Sequence, residues 1–81
     1  MDNYKIRQAN KLYAKIQGAL WAREKHCEYE HYDSAQNCTN AINECEKEID
    51  NLKLTKEEQA QTGFGFVDNN LAEEYYDRFR C

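Results

Sequence analysis

The chain has 81 residues and a formal net charge of -4, a size that makes one small domain and buries only about 60% of the surface its unfolded form exposes. Leu, Ile, Val and Phe number thirteen, or 16% of the chain, below the roughly 20% that accompanies an ordinary core. Ten aromatic residues and no proline exclude a simple disordered tail, so a folded chain is expected whose core leans on Tyr, Trp and Cys. No stretch approaches the ~18 apolar residues needed to cross a membrane. The N-terminus has no apolar run between its charges, so no targeting segment is read there and a cytoplasmic protein is expected.

Asn3 or Asp2 can cap a first helix, placed at about 4–31. Ile6, Ala9, Tyr13, Ile16, Leu20 and Cys27 space its apolar side by threes and fours, with Leu12, Ala19 and Trp21 widening the stripe and Arg23 interrupting it. Gly18 lowers local helix stability by roughly 1 kcal/mol relative to Ala, and its preferred reading is close backbone approach rather than a hinge. Asp33 and Gln36 have the spacing of a capping box. A turn at His31–Ser34 would fold the chain back into an antiparallel hairpin. With no Gly or Pro there, one long helix dimerising as a coiled coil is the alternative.

The second helix, at about 34–53, has the sharpest seam. Ala35, Cys38, Ile42, Cys45, Ile49 and Leu52 alternate steps of three and four, which keeps one narrow apolar face. Thr55 and Glu58 form a clearer capping box for a short third helix at about 56–61. Gly63 and Gly65 bracket Phe64 and end it, and Phe64, Phe66 and Val67 are expected to plug the open end of the hairpin. Asp68 caps a last helix at about 69–80 whose Leu71, Tyr75 and Phe79 share one side. The fold expected is all-α: an antiparallel hairpin with a short third helix and a C-terminal helix packed on it.

Charge is uneven. Residues 1–25 carry six basic and two acidic groups, whereas residues 26–81 carry five basic and thirteen acidic. The simplest arrangement lays a basic first helix beside acidic later ones. Arg7, Lys11 and Lys15 form a basic ridge at i+4 spacing, a candidate phosphate or anion site with Tyr4 or Tyr13 able to stack on a small phosphorylated ligand. The acidic balance of the whole molecule argues against direct nucleic-acid binding. It admits instead an acidic DNA mimic, with Glu44, Glu48, Glu73, Glu74 and Asp77 as the negative surface.

Catalytic grammar is missing. The carboxylates Glu44, Glu46, Glu48 and Asp50 describe a solvated helix face, no third group orients Cys27 or Cys45 with His31, and GFG is not a phosphate loop. Folding the hairpin brings Cys27 opposite Cys38, where a disulfide is conceivable. Free thiols acting as small hydrophobes on the seams are the preferred reading for Cys27, Cys38 and Cys45. His26, Cys27, His31 and Cys38 match no zinc spacing, and no metal or cofactor is expected. Trp21, Tyr29, Tyr32 and Tyr76 exceed what thin seams absorb and are the candidate protein-binding residues, since Tyr and Trp combine rigid apolar area with a polar tip. The expectation is a non-catalytic inhibitor or regulator that binds another protein. The shortage of aliphatic side chains adds a homodimer to it. In style, though in no motif, the chain resembles the compact regulatory proteins of phages and mobile elements.

Overall fold

The computed structural model describes residues 3–80. Four helices follow one another: α1 (Tyr4–Glu28), α2 (Tyr32–Asn51), α3 (Lys56–Ala60) and α4 (Asn69–Arg80), with one 3-10 turn at Phe64–Phe66 before α4. The fold is all-α, an antiparallel hairpin with α4 laid on it, within an envelope of 45 × 23 × 15 Å. Asp2, considered above as a cap, lies outside the described residues, as does Cys81.

The central element is α1, because it carries both other long helices, while α2 and α4 have little direct contact with each other. Its buried positions are Ala9, Ala14, Ile16, Gly18, Ala19, Ala22 and His26. They are nearly all small, which is what lets two helices approach one. The antiparallel course of α2 is visible in the bond from Arg23 to the Thr39 hydroxyl at 3.4 Å. By contrast α4 runs parallel to α1: Gly18 meets Ala72 and Tyr75, and further along His26 meets Phe79. Space at Gly18 is so short that a Cβ would lie 2.6 Å from the Ala72 carbonyl oxygen and 2.6 Å from Tyr75 Cβ. Close approach is therefore the reason for this glycine.

The hairpin turn falls earlier than the sequence indicates. α1 stops at Glu28, Tyr29 to His31 make the turn, and α2 begins at Tyr32 rather than Ser34. Glu30 takes a left-handed φ of 61°. His31 N–H then reaches the His26 carbonyl at 2.7 Å and Glu30 N–H the Cys27 carbonyl at 3.2 Å. That bond pair is the Schellman ending, which normally recruits glycine. A glutamate fills the position here, so the usual composition signal is absent. The Asp33–Gln36 capping box is not made: Asp33 lies inside the first turn of α2, and Gln36 instead donates to Asn40 at 3.1 Å. Asn3 sits at the N-cap of α1 without a side-chain cap bond. The Thr55–Glu58 box forms in both directions, at 3.1 and 3.2 Å.

The core is small-grained. Ile16, Ala19, Ala22, Cys38, Ile42 and Cys45 form its buried centre, and Leu12, Tyr13, Leu20, Ile49, Tyr76 and Phe79 pack around them half-buried. Cys27 is exposed, so it leaves the seam to which its spacing assigned it. The seam turns instead through Ala19, Ala22 and His26, because α1 must face α4 as well as α2 at that level. Of the plug expected at the hairpin's open end, Val67 is half-buried and Phe64 shares a groove with Tyr13, Ile16 and Ile49. Phe64 lays one edge on Tyr13, with ring centres 5.3 Å apart, and both Phe64 and Phe66 stay more than half exposed.

Candidate functional site

Four aromatic residues were expected to bind protein, and the fold sorts them into two neighbouring places. Trp21 of α1 and Tyr76 of α4 stand edge to face, ring centres 6.3 Å apart. They line an open groove of about 440 Å³ together with Glu24, Lys25, Glu73 and Asp77. Tyr29 and Tyr32 lie at the hairpin turn, 69% and 64% exposed. A second groove, also about 440 Å³, connects the two places: Lys25, His26, Tyr29, His31, Tyr76 and Arg80 line it. Lys25 and Tyr76 belong to both grooves, so Trp21, Tyr76 and Tyr29 share one continuous face. Tyr32 lines neither groove and stands beside the turn.

This face exists because α4 docks parallel to α1. The side chain that secures the docking is His26, which is 5% exposed and whose Nε2 lies 2.8 Å from the Phe79 carbonyl. A carbonyl can only accept, so Nε2 carries the proton and donates. The bond satisfies one of the last carbonyls of α4, which have no partner inside their own helix. Read from the sequence, His26 figured only as a poor zinc ligand. Its signal was present in the Ala19–Ala22–His26 spacing, one residue away from the stripe that ended at Cys27. Lys25 and Arg80, now part of the face, had no distinguishing spacing at all.

The charges around the face are held loosely. Lys25 pairs with Glu28 at 3.5 Å and Arg80 with Asp77 at 3.7 Å, both within one helix and about half exposed. Exposed pairs of this kind contribute roughly 0–1 kcal/mol. The Arg80 guanidinium also lies 5.5 Å above the Tyr76 ring, and that of Arg78 5.6 Å above Tyr75. These contacts hold two cations over the α4 aromatics.

The basic ridge is placed elsewhere. Arg7 and Lys11 are exposed and Lys15 is half-buried on the α2 side, where its charge is felt at Cys45. No carboxylate lies within 4.0 Å of any of the three among the described residues. The basic helix thus lies beside the acidic one without direct pairing. Tyr13, a proposed stacking partner for a ligand here, is engaged by Phe64. The acidic residues are divided, Glu44 and Glu48 on α2 and Glu73, Glu74 and Asp77 on α4, with α1 between the two helices.

Cys27, Cys38 and Cys45 are free thiols. Burial pushes the Cys38 thiol above its ordinary range, with Arg23 opposing, and burial does the same at Cys45 against Lys15. A thiol whose folded pKa is raised stabilises the fold below its unfolded value and loses that contribution as pH rises through the folded one. Stability should therefore fall as pH passes about 9. Chemical denaturation at pH 8 and pH 10 checks the sign. Maleimide mapping should label Cys27 at once and Cys38 and Cys45 only on opening of the core; equal rates at pH 8 would refute the buried-thiol reading. Among the described residues no three His, Cys, Asp or Glu side chains gather as a metal-sized group. No described helix is long and apolar enough to cross a membrane.

Compared with protein-family models, with curated proteins and with solved structures, the chain matches none of them.

Proposed function

We propose that this chain is a non-catalytic binding protein, an inhibitor or regulator that docks a protein partner on the face made by Trp21, Tyr76 and Tyr29, with Tyr32 at its edge. The observation that carries the reading is the pair of joined grooves with an aromatic wall and a charged rim. Aromatic anchors ringed by polar groups are the usual energetic centre of an interface. Tyr29 is 69% exposed and packs against no core residue, so removing it leaves the fold intact. Tyr29→Ala should weaken partner binding about thirtyfold, the low end of a hot-spot truncation. The experiment compares proteins captured by the tagged wild type, by Tyr29→Ala and by Lys11→Glu. A specific partner is one retained by Lys11→Glu and lost from Tyr29→Ala. Binding lost only from Lys11→Glu, or falling steeply with salt, would move the function to the basic ridge or to the acidic surface.

The same composition supports self-association. Ile16 and Ile42 are the only aliphatic side chains larger than alanine that are buried among the described residues, while Phe64 and Phe66 are 52% and 57% exposed. A second copy seated on these rings supplies the apolar surface the core lacks. Sedimentation should then give a dimer, and Phe64→Ser with Phe66→Ser a monomer. A wild-type monomer at high micromolar concentration would remove the dimer and leave the docking face untouched.

A further inference from the structure

The groove at the hairpin turn differs in charge from the molecule that contains it. The chain as a whole is acidic, at -4. Yet this groove is lined by Lys25, Arg80, His26, His31, Tyr29 and Tyr76, with no carboxylate. The adjoining groove at Trp21 has the opposite character, with Glu24, Glu73 and Asp77 against Lys25 alone. We propose that the turn groove is the subsite for a carboxylate carried beside an aromatic side chain of the docking partner, the carboxylate meeting Lys25 and Arg80 and the ring meeting Tyr76 and Trp21. The inference rests on the docking face proposed above and gives that face its chemistry.

The lining of the turn groove is itself positive. The C-termini of α1 and α4 both point into this end of the molecule and bring about half a negative charge each, and the N-terminus of α2 returns about half a positive one. Lys25 and Arg80 outweigh that contribution within the lining, and the carboxylates that offset them, Glu28 and Asp77, stand outside it. Their present partners, Glu28 and Asp77, are held at 3.5 and 3.7 Å in half-exposed pairs. Such pairs exchange readily for a better acceptor. One of the α4 carbonyls that would repel an anion, that of Phe79, is already engaged by His26 at 2.8 Å. Arg80 lies 5.5 Å above the Tyr76 ring, which places its planar fork beside an aromatic wall. Bidentate carboxylate pairing is what that fork favours.

The test titrates the isotopically labelled full chain with three small probes that share an indole ring: indole-3-acetate (anionic), N-acetyltryptophanamide (neutral) and tryptamine (cationic). Indole-3-acetate should shift the amides of Lys25, Tyr29, His31 and Arg80 and the Trp21 indole, with millimolar affinity, and tryptamine should leave the first four in place. Lys25→Glu with Arg80→Glu, both on exposed positions, should weaken indole-3-acetate about tenfold while the helical circular dichroism stays unchanged. Equal shifts from all three probes would overturn the carboxylate preference and leave the aromatic docking face standing. Inorganic phosphate acting as strongly as indole-3-acetate would overturn the pairing of ring and carboxylate, leaving a general anion site. No shift from any probe would overturn the subsite, and the docking face would then depend on the Tyr29→Ala capture alone.

Discussion

Replacing Gly18 by alanine is expected to lower the melting temperature by roughly 8–16 °C, although alanine is the better helix former. The propensity gain is roughly 1 kcal/mol. Against it stands a Cβ placed 2.6 Å from the Ala72 oxygen, 2.6 Å from Tyr75 Cβ and 2.7 Å from the Tyr76 nitrogen. Two of those three obstacles are backbone atoms, so no rotamer change relieves them and α4 itself must move. Overpacking costs about 1–3 kcal/mol and sometimes more where nothing flexible can yield. A net loss of about 2 kcal/mol follows, and each kcal/mol moves the midpoint of a domain this size by about 4–8 °C. The Trp21 environment should change with it, since its edge contact is to Tyr76 of the displaced helix. An unchanged or raised midpoint would mean that α4 does not lie on α1 at this level.

The second large effect is expected at His26. His26→Ala removes a ring that is 5% exposed and strips the Phe79 carbonyl of its donor at 2.8 Å. A buried acceptor left unpaired costs about 1–3 kcal/mol, and the cavity adds to it, for a total of about 3 kcal/mol. His26→Leu refills most of the volume without restoring a donor, so it should recover the cavity portion and keep the deficit of the orphaned carbonyl. Denaturant melts of the two variants therefore divide packing from hydrogen bonding. Amide exchange should rise first in the last turn of α4 in both. If His26→Leu matched the wild type, the bond to Phe79 would be worth nothing and the groove beside it would need another support.

Local rules carried well where one element answered to one partner. Of the three-four seam of α2, Ala35, Cys38, Ile42 and Cys45 are buried, and Ile49 and Leu52 are half-buried. The Thr55–Glu58 capping box formed as spaced, because its partners lie within one turn. The same rules misplaced what depends on two partners at once. α1 serves α2 and α4 together, so its buried set is broader than a single stripe and ends on His26, while Cys27 faces solvent. The turn lies two to three residues earlier than expected because Glu30 accepts a left-handed conformation that carries no sequence signature without glycine.

The sequence by itself determined that the chain is helical, where its helices lie to within a few residues, which side of α2 is apolar, and that aromatic rings would be left over. It also located the reason for Gly18. Only the tertiary structure decided where those rings stand. Trp21 and Tyr76 are 55 positions apart, and Lys25 and Arg80 likewise. They meet because α4 returns parallel to α1, a choice made by small side chains at Gly18 and Ala72 and by the bond from His26 to Phe79. Periodicity along one helix reports which face is buried. It holds no information on which other helix will cover that face or in which direction, and the proposed docking face is a product of that direction.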